Sequence, residues 1–156
     1  MNPERVAFFI GSEVVPSRND IFKSVFGLDL VGNNQISLEI VCNGKTFILN
    51  IFPKFDGQDF NEGILNRFCK EENKGETMIF YFFNSLYRRI TSKLKEELQI
   101  LKKYLKDETK KINFCLFEPD LIENKTEEKI NADEHLYKES IKLKIGLPTP
   151  NYYQYI

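Results

Sequence analysis

Tryptophan is absent, histidine occurs once, and cysteine occurs only three times. Each shortage closes off a chemistry. A single histidine, His135, supplies neither a catalytic triad nor a histidine-rich metal cage, and it is expected on the surface of a weak helix. Cys42, Cys69 and Cys115 show no paired spacing. Cys42 and Cys115 fall in predicted strands, where a buried thiol behaves as a small hydrophobe. A reducing compartment is therefore expected, the cytoplasm or the nucleus. Charge of one sign is also lacking: the formal net charge is -1, which excludes a global pull toward DNA or acidic membranes. No apolar run is long enough to cross a bilayer. The opening "MNPERVAFFIGSEVV" lacks the length and the small-residue cleavage site of a secretory signal, and "NYYQYI" offers no cysteine for a lipid, so no membrane anchor is expected. Repeats and low-complexity tracts are missing too.

What remains is ordinary globular material. Of 156 residues, 42% are hydrophobic and 29% charged, enough for one soluble domain with a full core. "RVAFFI" (5–10) reads as a buried strand ending at Gly11. Asn19-Asp20 signals a helix start, and "DIFKSVFG" carries Ile21, Phe22, Val25 and Phe26 on one face with Gly27 as its stop. "ISLEIVC" (36–42) and "KTFILNIF" (45–52) are strands separated by Asn43-Gly44 alone, which predicts a tight antiparallel hairpin. A helix is expected near 61–70. "TMIFYFF" (77–83) is continuous and apolar, as a strand covered on both faces should be. Leu86, Ile90, Leu94, Leu98, Leu101 and Leu105 form one stripe of a helix over about 86–106. "KINFCLF" (111–117) is another buried strand, 127–139 a weak helix, and "SIKLKI" (140–145) the expected last strand. Helices between buried strands imply right-handed crossovers. The fold class is α/β, a three-layer domain over residues 1–145 with a mostly parallel sheet and one antiparallel edge hairpin. Residues 146–156 are expected as a proline- and tyrosine-rich C-terminal tail.

Charged clusters add little. Glu71-Glu72, Glu96-Glu97 and Glu127-Glu128 are neighbours that point about 100° apart on a helix, and read as solvated faces rather than paired acids. The basic residues Arg88, Arg89, Lys93, Lys95, Lys102, Lys103 and Lys106 are interleaved with Glu96, Glu97, Asp107 and Glu108, so this face too reads as solvated.

The element order, with Gly57-Gln58 after the second hairpin strand, resembles the Ras-like small GTPases over roughly residues 5–145. The nucleotide motifs of that family are eroded here. Its phosphate loop, G-x-x-x-x-G-K-[ST], aligns with "GSEVVPSR" (11–18). Gly11 matches the first glycine, while Pro16 replaces the second, Ser17 the lysine and Arg18 the magnesium ligand. Proline removes an N–H from the cradle and forbids positive φ. Aligning "KFDGQ" (54–58) with D-T-A-G-Q puts Lys54 in the slot of the acid that faces magnesium. Residues 28–36 hold no threonine for the first switch. "FEPDL" (117–121) keeps only Asp120 of the guanine-reading N-K-x-D, and "SIK" (140–142) faintly matches S-A-K.

The resemblance implies a catalytically inactive GTPase-like interaction module, a subunit or scaffold in an intracellular protein complex, with no catalytic residue, no metal site and no cofactor. An atypical guanine-nucleotide-binding GTPase is the alternative; it would use Gly11, Arg18, Gly57, Gln58 and Asp120 with GTP and magnesium, Arg18 and Lys54 supplying positive charge. A further alternative is a small viral or parasite binding protein of unrelated α/β fold. The family closes with a long helix, and the eleven residues after 145 are too few and too proline-rich for one. A partly bare sheet face is therefore expected, covered by a protein partner or by the tail through Tyr152, Tyr153, Tyr155 and Ile156.

Overall fold

Asn43 and Gly44 set the first strand pairing. Both take positive φ, 51° and 77°, the twist a type I′ turn demands. They join β2 (Ile36–Cys42) to β3 (Lys45–Ile51) as antiparallel neighbours. The computed structural model describes residues 3–55, 60–71, 77–83, 91–106, 112–117 and 151–155. In it β1 (Glu4–Ile10) pairs parallel with β3 on one side and with β4 (Thr77–Phe83) on the other. Next come β5 (Ile112–Phe117) and β6 (Asn151–Tyr155), both parallel. The sheet order is β2-β3-β1-β4-β5-β6. After β1 the chain builds to one side of it and then crosses to the other. Its carboxyl end is thus the reversal point, where open α/β sheets place their ligands.

The helices divide between the two faces. On α1 (Arg18–Phe26), Ile21 and Phe22 are buried with Val6, Phe8, Ile10 and Ile51. The other face carries α2 (Glu62–Glu71) and α3 (Ser92–Leu105). There Leu65, Phe68, Leu94, Leu98, Leu101 and Leu105 bury against Ala7, Phe9, Ile79 and Tyr81. Each such leucine contributes about 1.5–3 kcal/mol of apolar burial. Phe9 stacks on Phe52 with centroids 4.5 Å apart, and Phe52 meets Phe68 edge-on at 5.1 Å.

Local signals placed most boundaries, with instructive exceptions. Gly27 ends α1 in the left-handed region (φ 66°), its N–H donating to Lys23 O and that of Leu28 to Phe22 O, a Schellman-type stop. The helix begins earlier than expected from Asn19-Asp20: Ser17 is the N-cap, its Oγ accepting from the Asp20 N–H at 3.2 Å. Cys42 is exposed rather than buried, because it ends an edge strand. Cys115 is buried, and burial pushes its thiol up to about 12. Met78 of β4 is exposed on the α1 face, so that strand is not fully covered on both sides. Residues 151–155 are not a loose strap over the sheet. They are β6, in register from Asn113↔Asn151 to Phe117↔Tyr155. The expected helix at 127–139 and strand at 140–145 lie outside the described residues, as do Leu86, Ile90 and His135.

Candidate functional site

The candidate site is the turn from β1 into α1, residues 11–17. Gly11 is buried where β1 leaves the sheet, its N–H donating to Phe82 O at 2.7 Å. A Cβ there would lie 2.8 Å from Tyr81 Oη, 3.3 Å from Phe82 O and 3.4 Å from Glu97 Oε2. Close packing, rather than an unusual φ, is what requires glycine here.

Two charged side chains from distant sequence hold the turn. Lys54 leaves the exit of β3 and donates from Nζ to Val14 O, with Pro16 O at 3.5 Å. Its neighbour Phe55 anchors that exit, buried and donating its N–H to Ile10 O at 2.9 Å. Burial holds the Lys54 ammonium below the usual lysine value, with the Glu97 carboxylate pulling it back up. Glu97 reaches in from α3. Its Oε1 accepts the Ser12 N–H at 3.0 Å, and its Oε2 accepts the Tyr81 hydroxyl at 2.8 Å. Burial pushes the Glu97 carboxyl above the ordinary glutamate value; hydrogen bonds from Ser12 and Tyr81 oppose the shift, and Glu13 adds to it. Glu13 makes a second tie to α3, accepting from Thr91 Oγ1 at 3.0 Å while Thr91 caps the helix by accepting from Leu94 N–H at 3.2 Å.

Arg18 acts beside the turn. Although it opens α1, it is 3% exposed. Its Nη1 donates to Asn34 O at 2.5 Å and its Nη2 to Gly32 O at 2.9 Å, and Asn19 Nδ2 also donates to Gly32 O at 3.0 Å. The guanidinium therefore fastens the 32–34 turn to the start of α1 through a planar fork.

Of the residues expected at a nucleotide site, Gly11 and Arg18 stand at the two ends of this turn, with Lys54 beneath it. Gly57, Gln58 and Asp120 lie outside the described residues, as does Ile156. Tyr152, Tyr153 and Tyr155 belong to β6 and pair with Phe114, Cys115 and Phe117. Among the described residues no group of three or more His, Cys, Asp or Glu could hold a metal. Glu97 corrects the reading of the Glu96-Glu97 pair as a solvated face. Its spacing from Leu94, Leu98 and Leu101 puts it on the inner flank of the stripe, which helical phase alone would have revealed.

No protein-family model matches the chain, and no curated protein matches it in sequence. Solved structures do match. A dimerization-deficient mutant of Toc33 from Arabidopsis thaliana superposes with a TM-score of 0.69 at 12% identity, covering 99% of this chain and 70% of that one. A second structure, of the chloroplast translocon components atToc33 and psToc159, gives 0.65 at 13% identity over the same shares. The fold is therefore small-GTPase-like, an α/β domain with one antiparallel pair in an otherwise parallel sheet. Among the described residues no helix is long and apolar enough to cross a membrane.

Proposed function

We propose that this domain uses the GTPase fold as an interaction module, a subunit or scaffold within a protein complex, and does not turn over nucleotide. One observation carries the reading. Lys54, standing in the acidic slot of the family, has its ammonium on the carbonyls of Val14 and Pro16. A lysine there ties the loop together with protein atoms and repels a divalent cation where the family's acid would attract one. Pro16 removes one amide from the cradle. The related structures include components for whose GTPase activity dimerization is important, and that activity sets the competing reading. In it Arg18 and Lys54 would neutralise a phosphate. Arg18 would first have to give up the Gly32 and Asn34 carbonyls, which favours the scaffold.

The proposed partner surface is the β6 edge. Among the described residues β6 has one neighbour, β5, and an edge strand presents ladder groups to another chain. Tyr152, Tyr153 and Tyr155 keep their proposed role there. Calorimetry of the purified protein with GTP or GDP and magnesium is expected to show no binding. Micromolar affinity would overturn the proposal, as would nucleotide released on denaturing the purified protein.

A further inference from the structure

Glu97 is the one acidic side chain among the described residues that is buried. A carboxylate in such a place is costly unless hydrogen bonds hold it. Both of its oxygens are engaged, one by the first amide after Gly11 and one by a phenol on β4. Three elements thus meet at one carboxyl group: α3, which carries it, the 11–17 turn and β4. The charged and titratable groups set against it are Tyr81, Glu13 and Lys54. Tyr81 donates a hydrogen bond, Glu13 disfavours the charge, and Lys54 interacts with it from beneath the turn.

We infer that Glu97 is a protonation-sensitive latch that ties the 11–17 turn to α3. As a carboxylate it accepts the Ser12 N–H through a charge-assisted bond; as a neutral acid the same bond is about half as strong. The turn is therefore held firmly when Glu97 is ionised and loosely when it is protonated. Its tip carries Val15, an exposed apolar residue, so a partner that reads the tip meets a different loop on either side of the transition. The inference goes beyond the proposed function, because it concerns what holds the loop and stands whether or not a nucleotide binds.

The sign of the effect separates the latch from a merely structural carboxyl. The folded-state value of Glu97 is raised above 4.5. Its protonation therefore favours the folded state, a contribution fully present below 4.5 and lost as pH rises through the raised value. Acid thus helps the global fold at this residue while it loosens the Ser12 amide. Glu97→Gln keeps the shape and an acceptor but cannot ionise.

Amide exchange at Ser12, corrected for intrinsic rate, is to be followed by NMR in the intact protein across this range, beside denaturant midpoints. The wild type is expected to lose about fivefold in Ser12 protection on acidification, the ratio that halving a charged hydrogen bond gives. The Gln variant should be weakly protected at every pH and globally at least as stable at neutrality. Tyr81→Phe removes one donor to the carboxylate and should move the transition to higher pH. A pH-independent Ser12 amide in the wild type would overturn the latch. So would the same pH dependence in the Gln variant, or a transition that Tyr81→Phe leaves in place. Calorimetry with nucleotide reports separately on the proposed function, so failure of one is distinguishable from failure of the other.

Discussion

The two turns that leave β1 and β2 are built on opposite principles. The β2–β3 turn is made by two adjacent residues, whose φ values of 51° and 77° are all it needs; at Gly44 an added Cβ would meet nothing within 4 Å. The β1–α1 turn is held by Glu97, which lies 85 positions from Ser12, and by Lys54, 40 from Val14. One is a local conformational device; the other is a tertiary assembly whose conformation depends on groups from β3, β4 and α3. A local turn forms with its hairpin and tolerates change elsewhere. An assembled turn transmits change, because every strut belongs to another element.

Breaking the tertiary ties at the assembled turn and at the α1 start beside it should produce the largest losses. Arg18→Ala leaves the carbonyls of Gly32 and Asn34 without their charged donor and should destabilise the protein by about 3 kcal/mol. It should also raise amide exchange in the 28–35 segment. Arg18→Lys should rescue little, since one ammonium does not reproduce a planar fork. A lower urea midpoint at unchanged slope is the expected readout. Gly11→Ala comes next, at about 2 kcal/mol, because its Cβ would press on Tyr81 Oη at 2.8 Å and Phe82 O at 3.3 Å. Part of that penalty is specific to the phenol oxygen. In the Tyr81→Phe background the Gly11→Ala loss should therefore shrink, and additive losses would refute this assignment of the clash.

The same contrast explains what the sequence disclosed. The hairpin, the Gly27 stop, the leucine stripe and the two-sided core all follow from neighbours a few positions apart. Among the described residues the expected strands, α1 and α2 stand within a residue or two of where periodicity puts them, while α3 starts at Ser92, after its Thr91 cap, rather than at 86. The buried Glu97 was hidden by treating Glu96-Glu97 as a pair, although only one of the two lies beside the leucines. Lys54 was legible as a charge in the wrong slot for a cation, but its bonds to the turn depend on the β3 exit coming to rest under β1. Pro148 and Pro150, outside the described residues, argue against a helix in the tail. That rule does not forbid a strand directly after a proline, because residues flanking proline favour extended backbone, and β6 begins at Asn151. Where pairing partners are far apart in sequence, as β5 and β6 are, local pattern carries no register.

The smallest predicted effect tests the local half of the comparison. Gly44→Ala puts a methyl group into open space, so no packing term enters. Any loss must come from holding an L-residue at φ 77°, a strain of about 1 kcal/mol. Asparagine tolerates the left-handed region better than alanine, so Gly44→Asn should lose less than half as much. The chemical shifts of Ser12 and of the 28–35 segment should not move in either variant, because the hairpin reaches neither. If Gly44→Ala instead disturbed the β1–α1 turn, the hairpin would have to be coupled to it through the β3 exit and Lys54. The division between a self-contained turn and an assembled one would then fail.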